Sequence, residues 1–451
     1  MEQKYKVLAV TTLSALMAAL DSTIIYLALP EIGKTFNAGI SYLTLIVVSY
    51  IISSTVMLIP SIGIIRRFGN KNFYILGFIF FVTSSFIISI SFNITIVVLF
   101  RFVEGIGAGM MTSSDIPIIL NAFPENERGK AIGINSIAWS IGTLIGPVIG
   151  GFLVLYNWRY IFLLNVPVGT IAIILAAKII KNDNGIKSKV NIMPSLSTAI
   201  FIIPLIIGIS FINIKYLIIA MIIFPLFFYF QYKKPLIDKK LLKNKQFLFI
   251  TIASFLESFA FFSVLYALSL YFESDLRISS FNAGILLFTY PLGSIISSPL
   301  GGILYDKFKK PEIIMISGTL MEAIPIMLIA IYLRNIPELL FISGFGGSLF
   351  WAPSTTMIVD ALGNRYRSQA NNSMFILRNI GLVLSISLLP LFIVYYSKIK
   401  ISIGTIFVNN VSINIASSVT DYLLFSAFVS ISSIIFILIN FMEKRGYKKY
   451  N

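Results

Sequence analysis

Apolar runs of about 18 residues or more recur along the whole of a 451-residue chain, and each is long enough to cross the hydrocarbon core of a bilayer as a helix. Only 12% of the residues are charged and 57% are hydrophobic, against roughly 25% charged in ordinary soluble proteins. A stack of water-soluble domains is therefore excluded. The bilayer is the solvent for most of this chain, which reads as an all-α polytopic membrane protein.

Fourteen spans follow, at about 7–29, 41–63, 73–91, 94–116, 131–155, 159–178, 194–212, 215–231, 247–271, 281–304, 312–333, 337–361, 371–396 and 420–441. An even number puts both termini on one side. On that arrangement 26 of the 35 Lys and Arg fall on the side of the termini and 7 on the other, with Arg101 and Arg378 inside spans. The positive-inside rule then makes both termini cytoplasmic. The formal charge of +16 is mainly an orientation signal, so nucleic acid is not an expected partner. The first apolar stretch runs past Asp21 to Leu29, which reads as a retained span rather than a cleaved signal peptide. The longest polar segments, about 179–193, 232–246 and 397–419, are too short for a catalytic domain of ordinary size.

Composition removes whole chemistries. The absence of Cys excludes disulfides, thiolate metal sites and thiol nucleophiles, and the absence of His excludes imidazole proton relays and the commonest zinc ligand. Proton transfer is left to Asp and Glu, tuned by Arg or Tyr. No Walker-type phosphate loop and no nucleophile–base constellation occurs, so neither direct ATP drive nor an enzyme is expected, and no cofactor or metal is implied.

Shifting the sequence by 239 or 240 residues aligns Arg66-Arg67-Phe68 with Asp306-Lys307-Phe308, Gly105-Ile106-Gly107 with Gly344-Phe345-Gly346, Arg128-Gly129-Lys130-Ala131 with Arg367-Ser368-Gln369-Ala370, and Ile141-Gly142 with Ile380-Gly381. Four matches in order at one offset indicate duplication; the plainer alternative is that short cytoplasmic loops converge on Gly and basic residues. The repeats begin at spans 1 and 9. This gives a six-helix bundle over 1–190, an inserted helix pair and linker over 191–246, and a second six-helix bundle over 247–451. Parallel halves with a site near the midplane between them are the architecture of a rocking secondary transporter.

The motifs carry a resemblance over nearly the whole chain. Leu20-Asp21-Ser22-Thr23-Ile24-Ile25 with Ala28-Leu29-Pro30, Arg101-Phe102-Val103-Glu104-Gly105-Ile106-Gly107, Gly142 with Gly146-Pro147-Val148-Ile149-Gly150-Gly151, and Trp158-Arg159-Tyr160-Ile161-Phe162 with Asn165-Val166-Pro167-Val168-Gly169 resemble the signatures of the major facilitator superfamily, specifically its fourteen-span drug:proton antiporter branch. The resemblance implies the major facilitator fold, with fourteen transmembrane helices in a cell membrane, and proton-coupled export of amphipathic or cationic small molecules. Two departures stand out. Ile62 and Arg66 replace the usual Gly and Asp of the loop after span 2, which weakens the charge latch attributed to that loop. Glu104 stands where the family has Gln, adding a titratable group beside Arg101.

Charges at bilayer depth cost several kcal/mol unless paired or hydrated, which makes them functional candidates. Asp21 lies about 14 residues, roughly 21 Å, from the inner end of span 1, and Arg101 about 7 residues, roughly 10 Å, from the outer end of span 4. In a core roughly 30 Å thick the two share a depth and can pair. Glu104 follows Arg101 on one helical face, and Glu257 is near midplane in span 9. Desolvation favours the neutral form of an acid and a neighbouring Arg the charged form, so occluding or breaking such a pair changes proton affinity. Asp21 and Glu104 are the expected proton carriers, Arg101 the tuning cation and Glu257 a cavity acid that meets substrate or proton. A permanent Asp21–Arg101 structural pair is the alternative. Glu322 is also near midplane and is expected to meet a neighbouring helix. Asp115 and Asp360, near inner helix ends, read as caps or latches.

Gly142, Gly146 and Gly150 form a small-residue ridge and Pro147 frees a backbone carbonyl, a face suited to gating between halves or to static packing. Arg67, Asp306, Arg128 and Arg367 belong to the repeated cytoplasmic loops and are further gating candidates, as is Arg378, which can instead bind an anion. For a bulky apolar cation, Tyr26, Trp139, Tyr266, Tyr271, Tyr290 and Trp351 are candidate stacking contacts. The expected partners are a small-molecule substrate, protons and the lipid bilayer, with the chain acting as a monomer. A carrier for one metabolite and a non-transporting membrane sensor remain the competing functions.

Overall fold

The computed structural model describes residues 2–124, 127–182, 193–211, 213–233, 243–362, 367–396 and 415–449. A helix stands at each of the fourteen expected positions: α1 Gln3–Ile24, α2 Ile40–Phe68, α3 Asn70–Ser89, α4 Ile94–Ala122, α5 Arg128–Val154, α6 Asn165–Ile179, α7 Met193–Ser210, α8 Ile214–Lys233, α9 Lys245–Leu270, α10 Ser280–Phe308, α11 Pro311–Tyr332, α12 Ile336–Leu362, α13 Arg367–Tyr396 and α14 Ile415–Lys449. There is no strand among the described residues. An all-helical chain is the expected answer in lipid, where every backbone N–H and C=O needs an internal partner.

Eleven helices among the described residues are long and apolar enough to cross a membrane. The expected count of fourteen differs at α12 and at the inserted pair, whose apolar stretches Leu196–Ile209 and Ile214–Phe230 are shorter. Pro204 and Pro225 punctuate these two helices.

The chain divides into two compact units, one holding α1–α8 and the other α9, α10 from Ile285 onward, and α11–α14. The inserted pair belongs with the first unit. There α7 packs on α2, and the Tyr42 and Phe211 rings meet edge-on at 5.1 Å. Within the first unit α1 packs on α5, α4 and α6, while α3 packs on α4 and α6. In the second unit α9 packs on α13, α12 and α14, and α11 on α12 and α14, the same set of neighbours one repeat later.

Glycine contacts fix that repeat to the residue. An added Cβ on Gly105 would stand 2.2 Å from the Tyr50 carbonyl oxygen, and one on Gly344 would stand 1.9 Å from that of Tyr290. Gly107 approaches the Gly77 carbonyl, and Gly346 that of Gly318, each at 2.6 Å; Gly142 approaches the Leu16 carbonyl, and Gly381 that of Phe255, again each at 2.6 Å. Convergent loop composition does not generate three matched interhelical contacts, so duplication is the better account.

Helix α1 does not end cleanly. It tightens to a 3₁₀ turn over Ile25–Ala28 before a last helical segment, Leu29–Phe36. Pro30 has no N–H for the Tyr26 carbonyl four residues earlier, which is a local cause of the tightening. The irregular turn begins four residues after Asp21.

Candidate functional site

Within the first unit, groups on α1, α2 and α4 and the ring of Phe162 converge on one guanidinium. Arg101 on α4 is 1% exposed; its Nη1 donates to Asp21 Oδ2 at 2.6 Å and to Glu104 Oε2 at 2.8 Å, and its Nε donates to the Ile46 carbonyl on α2 at 3.3 Å. The guanidinium lies 4.2 Å from the centroid of the Tyr50 ring and 5.7 Å from that of Phe162. The expected pairing of Asp21 with Arg101 is present, and Glu104 joins it one helical turn on.

Two members of this network carry no charge and were not singled out from the sequence. Asn165, the first residue of α6, donates its Nδ2 to Asp21 Oδ1 at 3.0 Å and stands 3.2 Å from Ser85 Oγ on α3. The Ser85 hydroxyl donates to Glu104 Oε1. The signal for Asn165 was its place in the Asn-x-Pro-x-Gly stretch, where a buried amide in an apolar span requires a partner. Each oxygen of both carboxyl groups therefore has a donor.

The arrangement holds two acids against one base. With Arg101 charged, the cluster is neutral when one proton is bound and carries one net negative charge when both acids are ionised. In a buried cluster that difference is large, and the groups that would sense it sit on α1, α4 and α6.

The glycine ridge lies against the same helix. Gly142, Gly146 and Gly150 on α5 face Leu16, Thr23 and Ile24 of α1; a Cβ on Gly146 would stand 2.0 Å from Thr23 Oγ1. Pro147 leaves the Thr143 carbonyl without its helical donor, and the Thr23 hydroxyl lies 3.5 Å from that oxygen. The ridge thus seats α5 on α1 within its own unit, two residues from Asp21.

Other candidates divide by placement. Asp115 is no helix cap: buried in α4, it accepts from Ser14 Oγ on α1 at 2.7 Å, and Tyr74 on α3 donates to Ser14 at 2.8 Å, linking three helices. Tyr26, Tyr266, Tyr271 and Tyr290 are buried and present no open stacking face, whereas Trp139 and Trp351 are partly accessible. Arg378 lies 4.7 Å from the Trp351 ring centroid and 5.7 Å from that of Phe262, inside the second unit. Arg67 is exposed, with its guanidinium 5.4 Å from the Phe68 ring. The side chains of Arg128, Asp306, Asp360 and Arg367 lie outside the described residues.

Glu257 departs from expectation. It faces no cavity: 0% exposed, it accepts from Thr319 on α11 and from Ser433 (2.7 Å) and Ser430 (3.1 Å) on α14. Glu322 meets a neighbouring helix as expected, accepting from the Tyr290 hydroxyl on α10 at 3.1 Å. Among the described residues no group of three or more His, Cys, Asp or Glu could hold a metal ion.

A family model described as Major Facilitator Superfamily matches residues 11–386 and, again, 250–439. The riboflavin transporter RibZ of Clostridioides difficile (strain 630) is 28% identical over 408 residues, which cover 85% of this chain and 87% of the relative. The methylenomycin A resistance protein of Bacillus subtilis (strain 168) is 28% identical over 400 residues, covering 85% and 86%. Multidrug resistance protein 3 of the same organism is 24% identical over 396 residues, covering 83% and 77%. Among solved structures, a D-xylose-proton symporter superposes with a TM-score of 0.69 at 14% identity over 97% of each chain, which speaks for the fold alone.

Proposed function

The chain belongs to the major facilitator superfamily, and from that premise we propose that it is a proton-coupled antiporter exporting amphipathic or cationic small molecules by alternating access. It works in the cell membrane as a fourteen-span monomer of the drug:proton antiporter branch, with both termini cytoplasmic. The observation that carries the coupling is the sharing of buried Arg101 between buried Asp21 and Glu104. Two acids on one base let a single proton switch the cluster between neutral and net negative. The 3₁₀ turn just beyond Asp21 gives α1 a place to flex as that happens. Relatives named for drug or antibiotic resistance support export.

A second reading, a carrier for one metabolite, is favoured by the relative named as a riboflavin transporter. Proteoliposomes separate the two. A panel of lipophilic cations and of neutral metabolites, driven by an imposed pH gradient, should show several cations moving against the proton flow. Replacing Asp21 with Asn and Glu104 with Gln together should abolish gradient-driven movement. A wild-type rate in that double variant would sink the coupling role, and movement indifferent to the gradient would sink antiport itself.

A further inference from the structure

The second unit holds two fully buried acids, Glu257 on α9 and Glu322 on α11, both 0% exposed. Thr319, which donates to Glu257, stands three residues before Glu322 on α11, so the two acids lie on packed helices about one turn apart. The first unit solves its paired acids with Arg101. Here, among the described residues, no basic side chain forms an ion pair with either acid, and the charge of Arg378 on α13 lies against Trp351 and Phe262.

The donors around the pair are distributed unevenly. Glu257 Oε1 accepts from Thr319 and Ser433, and its Oε2 accepts from Ser430. Glu322 Oε1 accepts from Tyr290, but Oε2 is buried with no hydrogen-bond partner. That oxygen sits where a side chain on Gly347 would be, 3.0 Å from the position of an added Cβ. The remaining polar neighbour from α12, Ser343, donates to the Glu322 backbone carbonyl rather than to its carboxyl group. Tyr290 is the titratable group that α10 turns toward the pair, and α14 contributes only its serine hydroxyls.

A buried carboxyl group with no cation beside it and too few donors is neutral only with a proton bound, because an ionised acid can only accept. Three hydroxyl donors suit Glu257 to be the ionised acceptor. One donor and one orphaned oxygen suit Glu322 to be the acid that carries the proton. We infer that Glu257 and Glu322 form a one-proton site in the second half, with the proton on Glu322 and Glu257 held as the ionised member by its hydroxyl donors. Its use in transport rests on the proton-coupled reading above, but the site itself is detectable without any transport.

Infrared difference spectroscopy of the full chain in lipid, exchanged between H₂O and D₂O at neutral pH, reads the proton directly. The wild type should show an isotope-sensitive carbonyl stretch of a protonated carboxyl group that Glu322→Gln removes. Glu257→Gln should shift that band, since it removes the charge beside the protonated acid. Tyr290→Phe keeps both carboxyl groups and removes only the hydroxyl bonded to Glu322, so it should shift the same band and serves even if Glu322→Gln does not fold. A spectrum in which neither Glu322→Gln nor Tyr290→Phe alters the protonated-carboxyl signal would overturn the site. Loss of the band in Glu322→Gln with gradient-driven transport unchanged would instead keep the site and remove the coupling role.

Discussion

Asn165 Nδ2 stands 3.0 Å from Asp21 Oδ1, while Arg101 holds the other oxygen of the same carboxyl group. The amide and the guanidinium clamp α1 from two sides, through α6 and α4. Asn165→Leu keeps the volume class but leaves a buried oxygen without its donor, which costs about 1–3 kcal/mol. Thermal unfolding in detergent should show that loss in the wild-type background. In an Asp21→Asn background, where the demand for donors is halved, the same change should cost clearly less. Equal costs in both backgrounds would mean that the 3.0 Å contact carries no energy.

Arg101 serves two acids, a backbone carbonyl and an aromatic face at once. Arg101→Met strands both carboxyl groups and should destabilise the first half by about 3–5 kcal/mol. Arg101→Lys keeps the charge but not the planar fork, so it cannot satisfy the Ile46 carbonyl and both acids together. It should insert and fold, yet transport should fall by roughly tenfold or more, the factor that about 1.4 kcal/mol represents. Gradient-driven uptake by Arg101→Lys at the wild-type rate would show that the fork geometry is dispensable.

Legibility in the sequence followed charge and depth. Asp21, Arg101 and Glu104 could be placed together because charges inside apolar spans are rare and a rise of about 1.5 Å per residue fixes their depth. Ser85 carries no signal in the sequence and Asn165 only its place in a motif, because Ser and Asn are common in spans and their partners sit on other helices, which spacing along one helix cannot locate. Depth marks Glu322 as well but not its partner, since Tyr290 comes from α10. For Gly142, Gly146 and Gly150 the sequence spacing disclosed a close-packing ridge, but not that it seats on α1 of its own unit. The repeat offset was readable from four loop and helix matches, and the three paired glycine contacts carry it into the packing.

Gly146 and Gly133 lie on one helix and should answer differently to the same change. A Cβ on Gly146 would stand 2.0 Å from Thr23 Oγ1, whereas one on Gly133 would meet nothing within 4 Å. Gly146→Ala should destabilise by about 1–3 kcal/mol through overpacking. Gly133→Ala should be neutral or stabilise by up to about 1 kcal/mol, the helical preference for Ala over Gly. Thr23→Ala should recover part of the Gly146→Ala loss by removing the hydroxyl in the way. Melting of the four variants, with membrane insertion checked separately, measures this; equal effects at Gly133 and Gly146 would mean the ridge is not a tight seat.

Gly142 and Gly381 test whether the duplication survives as equal energetics. In each case the added Cβ would lie 2.6 Å from a backbone carbonyl, Leu16 in the first unit and Phe255 in the second, and a backbone atom cannot swing aside as a flexible side chain can. Gly142→Ala and Gly381→Ala should therefore each destabilise by about 1–3 kcal/mol, with α5 forced off α1 in one and α13 off α9 in the other. The two sites share no partner, so the double variant should lose the sum of the single losses to within about 0.5 kcal/mol. Proteolysis of reconstituted protein should show new cleavage in the half that carries the change and not in the other. A loss confined to Gly142→Ala would indicate that the second copy of the contact has relaxed since duplication, leaving the seat beside Asp21 as the one under constraint.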